Sequence, residues 1–254
     1  MRTSSQAREC KEAARCLVSN RRHGPVAAYA LPCLALVSFG GLAVSESGRP
    51  DGLPGPRQTR RREDFDAVYA AGTPAWDIGR PQPAFVELAE AGRLVGRILD
   101  VGCGTGEHAL MAAAVGLDAT GVDAAPTALA AARKKADERG VSARFLEWDA
   151  LELASLREQF DTVLDCGLFH VFEDEDRPRF VDGLRASLSV GGRYYMLCFS
   201  HREPGDWGPR RIREEEIRAA FADGWEVEAI EPARIEITIE PGAAYAWRAS
   251  ILRS

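Results

Sequence analysis

The chain lacks the residue patterns that usually hold a metal or run redox chemistry. Its six cysteines, Cys10, Cys16, Cys33, Cys103, Cys166 and Cys198, form no C-x-x-C pair and no C-x-x-x-C-x-x-C triplet. Zinc-ribbon, thioredoxin-like and cluster-binding readings therefore have no support, and no metal site is expected. Cys103, Cys166 and Cys198 lie in apolar segments and read as reduced, buried thiols. There is no internal repeat. Basic surplus is also missing where a polyanion would need it: residues 1–60 hold nine Lys/Arg and four Asp/Glu, the remainder 23 and 34, within a net charge of −6 over 254 residues. Phosphate-backbone binding rests on clustered Lys and Arg, so an acidic body argues against a nucleic acid partner. Cationic or neutral small molecules stay open.

An unbroken membrane span is missing too. Residues 24–45 are apolar and follow Arg21 and Arg22, with Ala43 and Ser45 as small residues at a signal-like cleavage position, but Pro32, Gly40 and Gly41 interrupt the run. A span needs about 20 predominantly apolar residues. Residues 48–58 are rich in Gly and Pro and read as a linker, closed by Arg60, Arg61 and Arg62. The favoured reading is a disordered or dispensable extension over residues 1–60, ahead of one domain over residues 61–254, with no stable membrane association.

From about residue 63 the pattern alternates between helix and strand. Helices are expected over 63–71, 83–91, 107–115, 126–139 and 214–222, with Phe180, Leu184 and Leu188 as the buried stripe of another. Strands are expected over 98–101, 119–122, 143–148, 160–166, 193–199, 226–231 and 244–252. Alternation implies a parallel, doubly wound α/β sheet. Two strands at the end with no helix between them imply that the last of the seven inserts antiparallel. A ligand is then expected at the carboxyl ends of the first and fourth strands, where strand order reverses.

Residues 98–106 read Ile-Leu-Asp-Val-Gly-Cys-Gly-Thr-Gly. An apolar run ends in Asp100, and Gly102, Gly104 and Gly106 follow at alternate positions, as a sharp strand-to-helix turn lying against a ligand would need. The dinucleotide fingerprint would place the third glycine at 107, which is Glu. With the acid two residues before the first glycine, the segment resembles motif I of the class I S-adenosylmethionine-dependent methyltransferases. The resemblance implies S-adenosylmethionine as cofactor, with Asp100 beneath its methionine end near the ammonium group. Asp123, 17 residues after Gly106, can accept hydrogen bonds from both ribose hydroxyls, with Ala124 beside it; as a local alternative it caps the helix starting at Pro126. By the same resemblance Asp149 meets the adenine amino group, the Ala150 amide a ring nitrogen, and Cys166 ends the fourth strand beside the cofactor. Since that cofactor is made and held in the cytosol, the protein is expected to be cytoplasmic.

Two further segments extend the resemblance. Ala71–Pro83 is similar to the Thr-Pro-Trp-Asp-x-Gly-x-x-x-Pro segment of the thiopurine, thiol and halide branch, with Ala75 inserted between Pro and Trp. It implies that Trp76 covers the cofactor and helps shape the acceptor pocket. Phe199–Arg211, after the fifth strand, is polar and punctuated by Gly and Pro, as a lid over the acceptor would be. It is similar to segments in small bacterial enzymes of that branch acting on quinol- or hydroxyquinoline-like aromatics. Trp207 is expected to stack on the acceptor and Arg210 or Arg211 to stabilise a developing phenolate. His170, just past the fourth strand, is a candidate general base. The Asn/Asp-Pro-Pro-Tyr/Phe motif of amino-group methylating enzymes is absent, and Pro-Cys occurs only at Pro32-Cys33. The expected function is methyl transfer to O, S or N of a small, largely apolar acceptor, aromatic or thiol, with two alternatives: a nicotinamide-dependent oxidoreductase and a non-catalytic cofactor-binding regulator.

Overall fold

The computed structural model describes residues 62–254; the expectations for residues 1–60 lie outside the described residues. The strands are β1 Arg97–Val101, β2 Asp118–Asp123, β3 Arg144–Glu147, β4 Phe160–Cys166, β5 Leu188–Phe199, β6 Trp225–Glu236 and β7 Ala243–Arg253. The α-helices are α1 Arg62–Ala71, α2 Pro83–Glu90, α3 Glu107–Ala114, α4 Pro126–Arg139, α5 Arg177–Ser187 and α6 Glu214–Ala220. The strands form one sheet in the order β3-β2-β1-β4-β5-β7-β6. Parallel pairing runs from β3 through β5, and β7 lies antiparallel between β5 and β6. This is the expected seven-stranded, doubly wound α/β arrangement with an antiparallel last strand.

The period of two along each strand separates two cores. Ile98, Leu164, Tyr195, Leu197 and Phe199 face one side, where α2, α3 and α4 contribute Phe85, Leu110, Leu129 and Ala132. Leu99, Val101, Tyr194, Met196 and Cys198 face the other, against Phe180, Val181 and Leu184 of α5 and Ile217 of α6. Helices on both faces bury the central strands, and the crevice opens where β1 is flanked by β2 on one side and β4 on the other.

Two strand boundaries differ from the sequence expectation, and Leu188, expected on the buried stripe of a helix, lies one residue past the end of α5 and opens β5. β5 begins at Leu188 rather than at 193; Leu188 is fully buried but pairs with Phe160, and the ladder shifts before Thr162 pairs with Arg193. β6 runs on past Pro232 to Glu236. Pro232, opposite Trp247, is tolerated because β6 is an edge strand, where a missing N–H costs little. Two 3-10 segments, Ala150–Leu156 and Phe169–Val171, follow β3 and β4.

Gly106 starts α3 with φ +83°, and a Cβ there would lie 2.8 Å from Ala132 Cβ and from the Phe145 ring. It is a packing glycine. Gly106→Ala should cost about 2–4 kcal/mol, from left-handed backbone strain plus overpacking. A urea midpoint unchanged from the parent would refute that role.

Candidate active site

A cavity of about 670 Å³ opens at the carboxyl ends of β1, β2, β3 and β4. Its floor on one side is the turn Gly102–Thr105, with Asp123, Ala124, Asp149 and Ala150 from the ends of β2 and β3. Its other side is apolar: Leu168, Phe172, Phe199, Trp207, Ile235, Ile237 and Ile239. Trp76, Cys166, His170 and Arg210 also line it. Most site residues expected from the sequence thus meet in one chamber. Asp100 lies beneath it, 1% exposed, and Gly106 turns toward α4 and β3 instead of toward the chamber.

The turn after β1 is held by local chemistry. Gly102 N and Cys103 N both donate to Val122 O, at 2.8 and 3.0 Å. Gly104 N donates to Asp123 Oδ2 at 2.7 Å, and Ala125 N to Oδ1 at 2.8 Å. Asp123 therefore shapes the glycine turn and the approach to α4 from the chamber wall, but the N-cap of α4 is Ala125 with no side-chain cap hydrogen bond, so the expected capping role does not hold. Gly104 has φ +52°, and a Cβ there would come 2.6 Å from Tyr69 Oη, so only glycine lets α1 close down on the turn. Asp149 Oδ1 accepts from Leu151 N at 2.9 Å, which starts the 3-10 segment after β3.

Burial dominates the electrostatics. The Asp100 carboxyl is pushed up to about 7 by desolvation, partly offset by the Ala109 N–H, with Asp123 and Asp165 raising it further. Its Oδ2 accepts from Ala109 N at 3.1 Å, while buried Oδ1 has no partner among the described residues. A buried carboxylate oxygen left unpaired is costly. Asp123 is likewise raised by burial, against the N–H groups of Ala125, Gly104 and Ala124. Two acids at a turn with glycine at 102 and 104, one with an orphaned oxygen, fit a cofactor bearing positive charge and ribose hydroxyls.

Asp165, at the end of β4, is pushed up to about 6 by burial. It accepts from Leu168 N, Phe169 N and Tyr194 Oη at 2.7, 3.1 and 2.6 Å. It stays out of the chamber and fixes the turn that delivers Cys166, Leu168 and His170 to it. The thiols of Cys103 and Cys166 are pushed up by burial, and both are free.

The lead segment is anchored at several points. Trp76 Nε1 donates to Tyr69 Oη at 3.0 Å, and Phe65 and Tyr69 meet the Trp76 ring edge-on. Thr105 Oγ1 donates to Asp77 Oδ2 at 2.8 Å. Gln82 Nε2 donates to Glu236 O and Gln82 Oε1 accepts from Glu236 N, at 2.9 and 2.8 Å, and Thr238 N donates to Ala75 O at 2.8 Å. Glu107, which replaces the third fingerprint glycine, binds Lys135 and Arg139 at 2.8 Å each. That position is built for an ion-pair cluster between α3 and α4, not for a pyrophosphate.

The loop after β5 departs from expectation at its arginines. Arg210 reaches the chamber, but its guanidinium pairs with Asp174 and Glu216. Arg211 donates to the carbonyls of Trp207 and Pro209 and lies over the Trp207 and Phe199 rings. Both serve to hold the loop, so neither guanidinium stands free for a phenolate. Trp207 packs edge-on to Phe199 with centroids 5.3 Å apart.

Sequence reasoning missed Tyr69 and the wall Ile235, Ile237, Ile239. The wall's signal is the strict alternation Ile-Glu-Ile-Thr-Ile, which lies beyond the strand expected over 226–231 and is separated from it by Pro232. Tyr69 carries no motif; only its helical position relative to Phe65 hints at a shared face.

Residues 98–192 match the family described as a methyltransferase domain. The chain is 36% identical over 168 residues to a 2-heptyl-1-hydroxyquinolin-4(1H)-one methyltransferase of Mycobacteroides abscessus, covering 65% of this chain and 74% of that one. It is 30% identical over 160 residues to a probable thiol methyltransferase 2 of Arabidopsis thaliana, covering 60% and 68% respectively. A solved structure from work on conversion of a disulfide bond into a thioacetal group during echinomycin biosynthesis is 36% identical with a TM-score of 0.70, covering 76% of this chain and 93% of that chain. Magnesium protoporphyrin IX methyltransferase from Synechocystis with bound SAM, 20% identical with a TM-score of 0.54 over 75% of this chain and 80% of that one, shares the fold. With a glycine turn set over an orphaned acid and relatives that align along most of their length, this chain belongs to the S-adenosylmethionine-dependent methyltransferases.

Proposed function

We propose that the acceptor is a small, flat, largely apolar molecule that presents O, S or N to the cofactor's methyl group. The observation that carries this reading is the apolar half of the chamber, where Ile235, Ile237 and Ile239 line it together with Phe199, Trp207 and Leu168. Such a surface favours aromatic bodies through area burial and edge contacts. Bound S-adenosylmethionine supplies an electrophilic methyl group on a neutral leaving group. The protein's part is placement: Asp100, Gly102, Gly104, Asp123, Ala124, Asp149, Ala150 and Cys166 hold the donor side, while Trp76 covers it. Holding two reactants in line can supply roughly 7–11 kcal/mol of the barrier.

The hydroxyquinolone and thiol relatives support an acceptor of this class. The acidic body supports the absence of a nucleic acid partner, and use of a cytosolic cofactor supports a cytoplasmic location; no helix among the described residues is long and apolar enough to cross a membrane. The enclosed acceptor wall argues against a purely regulatory binder, and the Glu107 ion-pair cluster against a nicotinamide enzyme.

A panel of hydroxyquinolines, phenols, aryl thiols and iodide, followed by S-adenosylhomocysteine release, tests the reading. Turnover with aromatic acceptors is expected; turnover with iodide alone would overturn it. Trp207→Ala should raise KM for an aromatic acceptor about 10-fold, from loss of one stacking surface, with KM for the cofactor unchanged. Equal effects on both KM values would show that Trp207 does not line the acceptor side.

A further inference from the structure

The chamber holds a fixed hydrogen-bond donor where a base was expected. Phe199 N donates to His170 Nδ1 at 2.9 Å. A neutral imidazole has one acceptor nitrogen and one N–H. Because Nδ1 is taken as acceptor, the proton sits on Nε2. Burial, with Arg211 adding to it, pushes the His170 pKa down to about 3, so the ring stays neutral through the physiological range. Nε2 lies 3.3 Å from the position a Gly167 Cβ would occupy, a spot that is also 3.8 Å from Ile235 Cδ1. Gly167, His170 and Ile235 all line the chamber, so Nε2 lies at the chamber wall beside Gly167 and Ile235.

Of the other titratable groups lining the chamber, Asp77, Glu107, Asp123 and Asp149 are held by hydrogen bonds or ion pairs along the glycine turn and the ends of β2 and β3. His108 is the second histidine of the wall; its Nε2 accepts from Gln82 N at 3.1 Å, and burial pushes it down to about 4. Tyr69 and Cys166 are pushed up by burial. Arg210 is paired with Asp174 and Glu216. Glu173 and Asp176 stand at the partly exposed rim after the 169–171 turn.

We infer that the acceptor is taken up already ionised, as an oxyanion or thiolate held by His170 Nε2–H, which restricts good acceptors to acidic O–H and S–H groups on an apolar body. This rests on the small-acceptor reading above. The balance is simple. The acceptor loses its proton to solvent before binding. Its anionic O or S then forms the new bond to the methyl carbon as the C–S bond breaks, and its electron pair stays on the departing neutral sulfide. Negative charge on the acceptor falls along this path. A donor that pairs with it holds the bound anion more strongly than the transition state, so its loss should raise KM while kcat holds or rises, and should not lower kcat.

The test uses S-adenosylhomocysteine release from a series of aryl thiols and hydroxylated heteroaromatics with graded pKa, between pH 5 and 9. The apparent pKa in kcat/KM should move with each acceptor's own pKa. His170→Asn keeps an acceptor for Phe199 N–H and deletes the Nε2 donor; it should raise acceptor KM about 10- to 100-fold, the range for a hydrogen bond to a charged group. His170→Gln, which can restore a donor, should recover part of that loss, with cofactor affinity by calorimetry unchanged in both. An apparent pKa that is the same for every acceptor would establish an enzyme base and overturn the inference while leaving the small-acceptor reading standing. Methylation of none of the series, with cofactor affinity normal, would overturn that reading and the inference with it.

Discussion

Replacing Asp123 with alanine is expected to abolish measurable cofactor binding while the sheet stays folded. Asp123 ends β2 at the chamber wall, and its two oxygens already fix Gly104 N and Ala125 N. Each carboxylate oxygen retains acceptor capacity for a ribose hydroxyl. Two charge-assisted hydrogen bonds at about 1.5–3 kcal/mol each amount to roughly 10²–10⁴ in affinity. The variant also frees two backbone N–H groups, which loosens the glycine turn and adds to the loss. Asp123→Asn, which retains one carbonyl oxygen for the turn, should fall between the two. Calorimetric titration with S-adenosylmethionine beside a circular dichroism melt separates the readouts. Parent-like affinity for Asp123→Ala would refute the ribose assignment.

Cofactor affinity should also rise steeply with pH below neutrality. Asp100 holds its proton up to about pH 7 in the free protein because burial disfavours the carboxylate. In the proposed cofactor placement the orphaned Oδ1 pairs with the ammonium, which requires the ionised form, so binding is expected to lower the folded pKa and expel a proton. Affinity then increases with pH, by about tenfold per unit below 7, and levels off as the ammonium itself approaches its own α-amino range near 8. Between pH 5 and 7 the expected gain is on the order of 50-fold or more. Calorimetry in buffers of different ionisation enthalpy should report release of close to one proton at pH 6. Asp100→Asn should flatten the pH dependence. A parent affinity constant from pH 5 to 7 would show that the carboxylate beneath the turn does not meet the ammonium.

The sign for folding runs the other way. Raised carboxyl pKa values at Asp100 and Asp165 mean that the unliganded fold binds protons the unfolded chain has released. Their contribution to stability is lost as pH rises from the unfolded value near 4 to about 6–7. The site's acids are thus a standing cost to the empty protein, which a bound cation relieves.

How far the sequence speaks depends on whether a function is local. Asp100, the glycine turn, Asp123 and Asp149 were legible because each sits at a strand end whose position follows from short-range pattern. Gly106 was misread because alternation of glycines does not say which faces a ligand and which faces a neighbouring helix; only the approach of Ala132 and Phe145 decides that. His170 lines the chamber, but the hydrogen bond that fixes its tautomer comes from the Phe199 N–H, a partner 29 residues away that local pattern does not reveal. Arg210 was likewise taken for a free cation because Asp174 and Glu216 lie on separate segments. The isoleucine wall was hidden behind Pro232, which stops an interior strand but not the edge strand it occupies.

The stitching of Gln82 to Glu236 and of Ala75 to Thr238 joins the cover of the methyl donor to the rim of the acceptor wall. Drift in the hairpin tip between β6 and β7 can reshape what the enzyme accepts without touching the sheet. A change there is transmitted through these hydrogen bonds to the segment that carries Trp76, so the two walls of the chamber are mechanically linked across more than 150 residues of sequence.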